Sequence, residues 1–287
     1  MFALALMADA HTYLFRMNIN GTNTNREQCI RPYRESTVNS PVKNPDSLDL
    51  RCRTDKMSAD STTVCGIVAG SPITLEMHEG DTANTRFIDP SHLGPCMVYM
   101  APLSSNGAGY AWFKIYEDGY DPATKTWCTQ KLMKTDGKLN ITLPTDIPSG
   151  PYLLRPEIIA LHTADKPYAG SDKGPGAEYY PSCAQIYLVS SSTTTTMPKG
   201  YAIPGIYKAN DPGILINIYD PVKSYTIPGP PVYEKDLNLG NTDTTTTTAA
   251  TATTDDNAAP TVTTDTADAP TSSSTRKRRP CVKKRRR

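Results

Sequence analysis

The sequence has no apolar run approaching the roughly 18 residues that span a bilayer, so no membrane span is expected. None of its seven cysteines forms a C-x-x-C pair, which removes zinc-ribbon spacing. No long stretch carries clear helical periodicity, and no segment repeats. There is no nucleophile-elbow motif and no paired-carboxylate signal for glycoside hydrolysis, although a Ser-His-Asp set drawn from distant residues stays open. Histidine is scarce: the chain holds only His11, His78, His92 and His162.

What is present is mostly strand. Residues 13–19, 73–77, 96–100, 112–116, 139–143, 152–161, 184–189 and 214–219 are β-branched, aromatic or alternating, and Gly, Pro, Asn and Asp clusters separate them. Eight or so short strands predict an all-β fold, an immunoglobulin- or fibronectin-like antiparallel β-sandwich. The connections are too long for a minimal sandwich, and long loops are where function tends to sit.

Composition changes after about Tyr233. The stretch 243–275 is nearly all Thr, Ala, Asp, Ser and Pro, which cannot bury enough apolar surface to offset chain entropy. We read 236–275 as a disordered, O-glycosylated linker and 276–287 as a basic tail. That tail carries nine of the 30 Lys and Arg, which leaves 21 against 29 acids in the rest, so the body is acidic. The tail is suited to an anionic surface; a solvated tail with no partner is the alternative. No nucleic-acid partner is expected.

At the other end, Phe2 to Met7 is apolar but shorter than a leader's core, with no basic residues before it. Residues 1–10 therefore read as the remnant of a truncated signal peptide. Ala8-Asp9-Ala10 is the small-x-small pattern a signal peptidase accepts. Cutting after Ala10 makes His11 the first residue, whose α-amine and ring Nδ1 can chelate one metal ion. If Met1 is retained, His11 stays internal, at the start of a strand, without that chelate. Scattered cysteines and the sequons at Asn20 and Asn140 suit secretion. Cys281, in the tail, is the odd cysteine. His92 lies in Asp89-Pro90-Ser91-His92-Leu93-Gly94-Pro95, a turn-rich approach to a strand that suits a metal ligand or an ordinary surface histidine. Tyr180 stands three residues before Cys183 and is fixed if that cysteine is bridged.

Taken together, these segments resemble the fungal lytic polysaccharide monooxygenases of auxiliary activity family nine. The resemblance runs from His11 to about Tyr233. It is carried by His11-Thr12, by Ser91-His92-Leu93-Gly94-Pro95 with Tyr99, and by Trp112-Phe113-Lys114-Ile115. Residues 143–162, ending in His162, continue it, followed by 178–186, 211–214 and 225–230. The resemblance implies one copper ion per chain, held by the amine and Nδ1 of His11 and by His92 Nε2, with Tyr180 axial. It implies that His162 hydrogen-bonds oxygen species beside the metal. Glu178 stands where the family most often has glutamine, which adds a negative charge beside the copper. Cys183 is expected to pair with Cys52; the other pairings stay open. Tyr13, Tyr219 and Tyr225 are the candidates for stacking on sugar rings, with core or turn packing as the alternative. His78 matches no ligand and reads as structural.

A nitrogen-rich donor set suits copper, which heads the divalent affinity order. An α-amine with a pKa of roughly 7.7–8.0 loses its proton at small cost near neutrality. The expected function is therefore that of a secreted, monomeric enzyme. It would cleave cellulose or a related β-1,4-glucan oxidatively at C1 or C4, using O2 or H2O2 and an external electron donor. The rival readings are a secreted copper- or carbohydrate-binding sandwich without catalysis, and a surface-adhesion factor acting through the basic tail.

Overall fold

A computed structural model describes residues 12–33, 40–53, 62–80 and 85–234. Residues 1–10, expected to be a leader remnant, His11, residues 236–275, expected to be a linker, and the basic stretch with Cys281 lie outside the described residues. The chain separates into two units, Met1–Thr242 and Asp243–Arg287, and the second lies wholly outside them.

Two sheets make the first unit. The smaller sheet runs in the order β2 (Thr22–Asn23), β1 (Tyr13–Ile19), β4 (Pro72–His78), β9 (Lys138–Thr142), all antiparallel. The larger runs β13 (Tyr201–Ala202), β6 (Tyr110–Asp118), β5 (Cys96–Pro102), β10 (Gly150–Ala160), β12 (Ala184–Val189), β3 (Cys65–Val68), and β11 (Glu178–Pro181) also pairs with β10. One pairing departs from the expected antiparallel pattern: β12 and β3 are parallel. A short hairpin of β7 (Tyr120–Asp121) and β8 (Thr126–Trp127) leads into α1 (Cys128–Met133), the only α-helix among the described residues. Among the described residues no helix is long and apolar enough to cross a membrane.

Alternation along β5 explains the layering. Cys96, Val98 and Met100 face the smaller sheet and join Leu14, Met17, Leu75 and Ile141 in one core. Met97, Tyr99 and Ala101 face the other way, into a second core with Trp112, Leu153 and Ile159, which loop residues Leu50, Ile203, Tyr207 and Ile214 cover. Both faces of the large sheet are thus buried, which is why β5 is apolar at nearly every position. Inside the second core sits a fully buried ion pair, Arg155 with Glu157, bridged on two oxygens at 2.5 and 2.9 Å.

Most strands fall where the sequence predicts them. Residues 214–219 do not: they form turns. Backbone N–H groups of Ile214 and Leu215 close onto Asp211 O, and the Asn217 side chain accepts from Tyr219 N at 3.0 Å. The apolar spacing there reflects packing onto the second core, with Ile214 buried, rather than pairing with a strand. Helix α1 escaped notice because it is six residues long; Gln130 Oε1 caps it by accepting from Trp127 N at 2.9 Å. Three disulfides close the fold: Cys29–Cys65, Cys52–Cys183 and Cys96–Cys128. The second joins chain 131 residues apart and anchors β11's exit to the early loops, as the resemblance implied.

Candidate metal centre

Strand β10 builds the site. It ends at Ala160, and His162 follows two residues later. Strand β11 pairs antiparallel to it, with Ala160 opposite Glu178 and Ile158 opposite Tyr180. Period-two geometry puts Glu178 and Tyr180 on one face of β11. The His92 loop lies along the same end of β10: Leu161 N–H donates to Leu93 O at 2.8 Å and Ile159 N–H to Pro95 O at 3.2 Å. Gly94 makes this approach possible, because a Cβ there would overlap the Ile159 carbonyl. The result sets the His92 and His162 rings side by side, centroids 4.1 Å apart.

The donor atoms converge. Glu178 Oε2 lies 3.4 Å from His92 Nε2 and 3.8 Å from His162 Nε2, and it accepts the Tyr180 hydroxyl at 2.6 Å. His92, His162 and Glu178 each offer a ligand atom within 4.8 Å of the others. The His92 tautomer follows from its neighbours. Ser91 and its backbone hold Asp89 ionised, below the ordinary carboxylate value. Ser91 Oγ–H donates to Asp89 at 2.7 Å, so Ser91 Oγ accepts at 3.1 Å from His92 Nδ1–H. That leaves the Nε2 lone pair aimed at a carboxylate oxygen. Two such atoms converge stably around a cation, a proton or a metal. His162 Nδ1 is buried and has no hydrogen-bond partner among the described residues.

The electrostatics fit this arrangement. Burial alone would raise the Glu178 pKa; the close contact with His92, the hydrogen bond from Tyr180 and the charges of His162 and Lys43 outweigh it and hold the carboxyl at about 2. Burial pushes the Tyr180 phenol well above its ordinary value, and the Glu178 charge pushes it further, so it remains a neutral donor. Burial lowers His162 below the ordinary histidine value against the pull of Glu178. A carboxyl depressed on folding stabilises the protein fully above its unfolded pKa and loses that contribution as pH falls. In the metal-free protein Glu178 should therefore contribute on the order of 3 kcal/mol that disappears between about pH 4.5 and about pH 2. Denaturant titrations of the protein and Glu178→Gln across that window check this; identical slopes would refute it.

Of the residues the sequence nominates, the structure gathers His92, His162, Glu178 and Tyr180. His11 lies outside the described residues, but Thr12 beside it is fixed: Arg53 Nη2 donates to Thr12 O at 2.9 Å while its guanidinium rests over the Tyr180 ring. Tyr219 is 73% exposed, and its hydroxyl donates to His162 O at 3.1 Å, so its ring is free to stack. Tyr225 is half-buried, edge-on to Trp127, and donates to Gly213 O at 2.7 Å. Tyr13 is a correction. It is 1% exposed, packed edge-on to Tyr33 with its hydroxyl on Gly80 O, and cannot reach a sugar. A register shift between Leu14 and Arg16 breaks the alternation of β1 and buries Tyr13, Leu14 and Phe15 together. His78 is structural as expected: Glu76 and the Thr85 carbonyl occupy its two nitrogens. Sequence reasoning missed Lys43, whose Nζ lies 3.1 Å from Glu178 Oε1. It also missed Arg53. Nothing in the plain segment Pro41-Val42-Lys43-Asn44 signals the lysine, whereas the Asp89-x-Ser91 turn was readable.

Comparison with known proteins gives the family. The sequence profile of Auxiliary Activity family 9 (formerly GH61) matches residues 11–226. The chain is 41% identical over 234 residues to an "AA9 family lytic polysaccharide monooxygenase A" of Aspergillus niger, covering 81% of this chain and 54% of that protein. It is 42% identical to the protein of the same name from Aspergillus terreus, covering 81% and 62%. The chain thus spans about half the length of the curated relatives it matches. Among solved structures, "CvAA9A" superposes with a TM-score of 0.70 at 34% identity, covering 78% of this chain and 98% of that one. A "cellulose-active polysaccharide monooxygenase from M. thermophila" superposes at 0.61 with 28% identity, covering 78% and 99%. The β-sandwich expected from the strand pattern is the fold these chains share, and this chain belongs to Auxiliary Activity family 9.

Proposed function

We propose that the protein is a secreted, monomeric, copper-dependent monooxygenase that cleaves β-1,4-glucan chains oxidatively. The observation that carries the reading is the convergence of His92 Nε2, His162 and Glu178 Oε2 beside the Tyr180 hydroxyl at one end of the sandwich. The His92 imidazole and the Tyr180 phenol are nitrogen and oxygen donors that copper accepts, and His162 and Glu178 stand beside them. In this reading His92 would hold the ion together with the amine and ring of His11, with the Tyr180 phenol beside them. When bound, copper supplies the redox chemistry by which O2 or H2O2, with an external electron donor, oxidises a glycosidic carbon.

The protein's own residues do the rest. Asp89 and Ser91 fix the His92 tautomer. Tyr180 and Lys43 hold the Glu178 carboxylate. His162, half-buried at the surface side, is placed to donate or take a proton at Nε2. Exposed Tyr219, tied to the His162 carbonyl, gives a sugar ring a stacking surface next to these groups. A copper carrier without catalysis has no use for a histidine and a carboxylate held beside its ligands, so the enzyme is the better supported reading. We assign 11–235 as the catalytic domain, with 236–275 tethering a basic tail suited to an anionic surface.

The test is product analysis. The secreted full chain, loaded with copper and given a reductant and cellulose, should release oxidised oligosaccharides. Copper-loaded protein with reductant that yields none would overturn the reading.

A further inference from the structure

The two oxygens of Glu178 face different worlds. Oε2 meets His92, His162 and Tyr180, while Oε1 turns away and forms an ion pair with Lys43 Nζ at 3.1 Å. The Lys43 side chain is only 4% exposed, and its ammonium also donates to Gly174 O at 2.6 Å. Buried lysines are rare unless paired. This one is delivered deliberately: Val42 and Tyr179 exchange both backbone hydrogen bonds, at 2.8 and 2.9 Å, so the lysine segment docks onto the strand that carries Glu178. The other cation near Tyr180, Arg53, sends its Nη atoms to Thr12 O and Ser40 O instead.

We propose that Lys43 is a positioning residue of the site: it holds Glu178 Oε1 so that Oε2 stays aimed at the imidazoles and the phenol, and its charge makes the carboxylate one half of a neutral pair. In the metal-free protein a buried carboxylate without that partner would be an uncompensated charge and would turn toward whatever donor remained. The lysine therefore offsets the cost of carrying an acid at position 178. The consequence for the metal rests on the copper reading above; the ion pair itself does not.

A double-mutant cycle on the full chain tests this, with Lys43→Met, Glu178→Gln and the two combined. Melting is followed without metal, and copper-loaded samples are compared by electron paramagnetic resonance. Each single change leaves a buried charge unpaired and should lower the melting temperature by about 10 °C. The double variant should lose clearly less than the two losses added. The Lys43→Met copper spectrum should differ from that of the unaltered protein, while the double variant should match Glu178→Gln. Additive losses with an unchanged Lys43→Met spectrum would overturn the proposal and leave Lys43 as a tie to Gly174 alone. Should Lys43→Met fail to fold, the double variant still decides: melting at or above Glu178→Gln supports the pair, and melting well below it refutes it. Failure of the unaltered protein to bind copper would overturn the copper reading instead, while the metal-free melts would still judge Lys43.

Discussion

Replacing His92 by alanine should weaken copper binding by at least ~100-fold and abolish oxidised products. Removing a group that merely orients a ligand typically costs 10–100-fold in metal affinity or activity, roughly, so loss of a donor atom itself should exceed that. The fold should survive. His92 sits on a loop whose neighbours, not its own side chain, make the main-chain bonds to β10 through Leu93 O and Pro95 O. The expected stability loss is about 1–2 kcal/mol, ordinary for a buried side chain. Calorimetric copper titration and cellulose product analysis, run on protein shown to melt cooperatively, check both halves. His78→Ala is the internal control. Both its ring nitrogens are engaged by Glu76 and Thr85, so that change should cost stability and leave copper affinity alone. Undiminished affinity in His92→Ala would remove His92 from the metal.

Arg155→Met should be the most destabilising change outside the site, by about 3–5 kcal/mol. Arg155 is fully buried and spends its fork on both Glu157 oxygens, on Arg51 O at 2.7 Å and on Leu50 O at 2.6 Å. Deleting it strands the Glu157 carboxylate with the Tyr207 hydroxyl and orphans two loop carbonyls. Arg155→Lys should rescue little, because an ammonium cannot match a planar fork that bonds four acceptors. Replacing both Arg155 and Glu157 by apolar residues should recover much of the loss, since a well-packed pair substitutes for a buried ion pair at small cost. Urea denaturation of the three variants decides it. A loss below about 1 kcal/mol in Arg155→Met would mean that water or another group compensates the charge.

How much of this could be read beforehand differs by physical cause. Strands β1 and β12 were legible to the residue, and the cores of β4, β5, β6, β9 and β10 within them, because period-two alternation or continuous apolar runs are local properties. His92, His162, Glu178 and Tyr180 were legible as a group only through the family resemblance, since register, not spacing, brings β10 and β11 together. Tyr13 misled because its burial comes from partners distant in the chain, the Tyr33 ring and the Gly80 carbonyl, which composition does not reveal. Residues 214–219 misled because apolar residues that cap a core look like those that line a sheet. Lys43 was invisible: a lysine becomes part of a site only when folding removes water from it, and that depends on Val42 finding Tyr179 across nearly half of the chain.

The bare Cα at position 94 has a wider reach. Since the loop is threaded flat against Ile159 with no room for a side chain, the spacing of the two imidazoles is inherited from the frame of the large sheet and owes nothing to loop length. The surrounding loops can then be lengthened, shortened or exchanged as cassettes, reshaping the surface, without moving the two rings relative to each other.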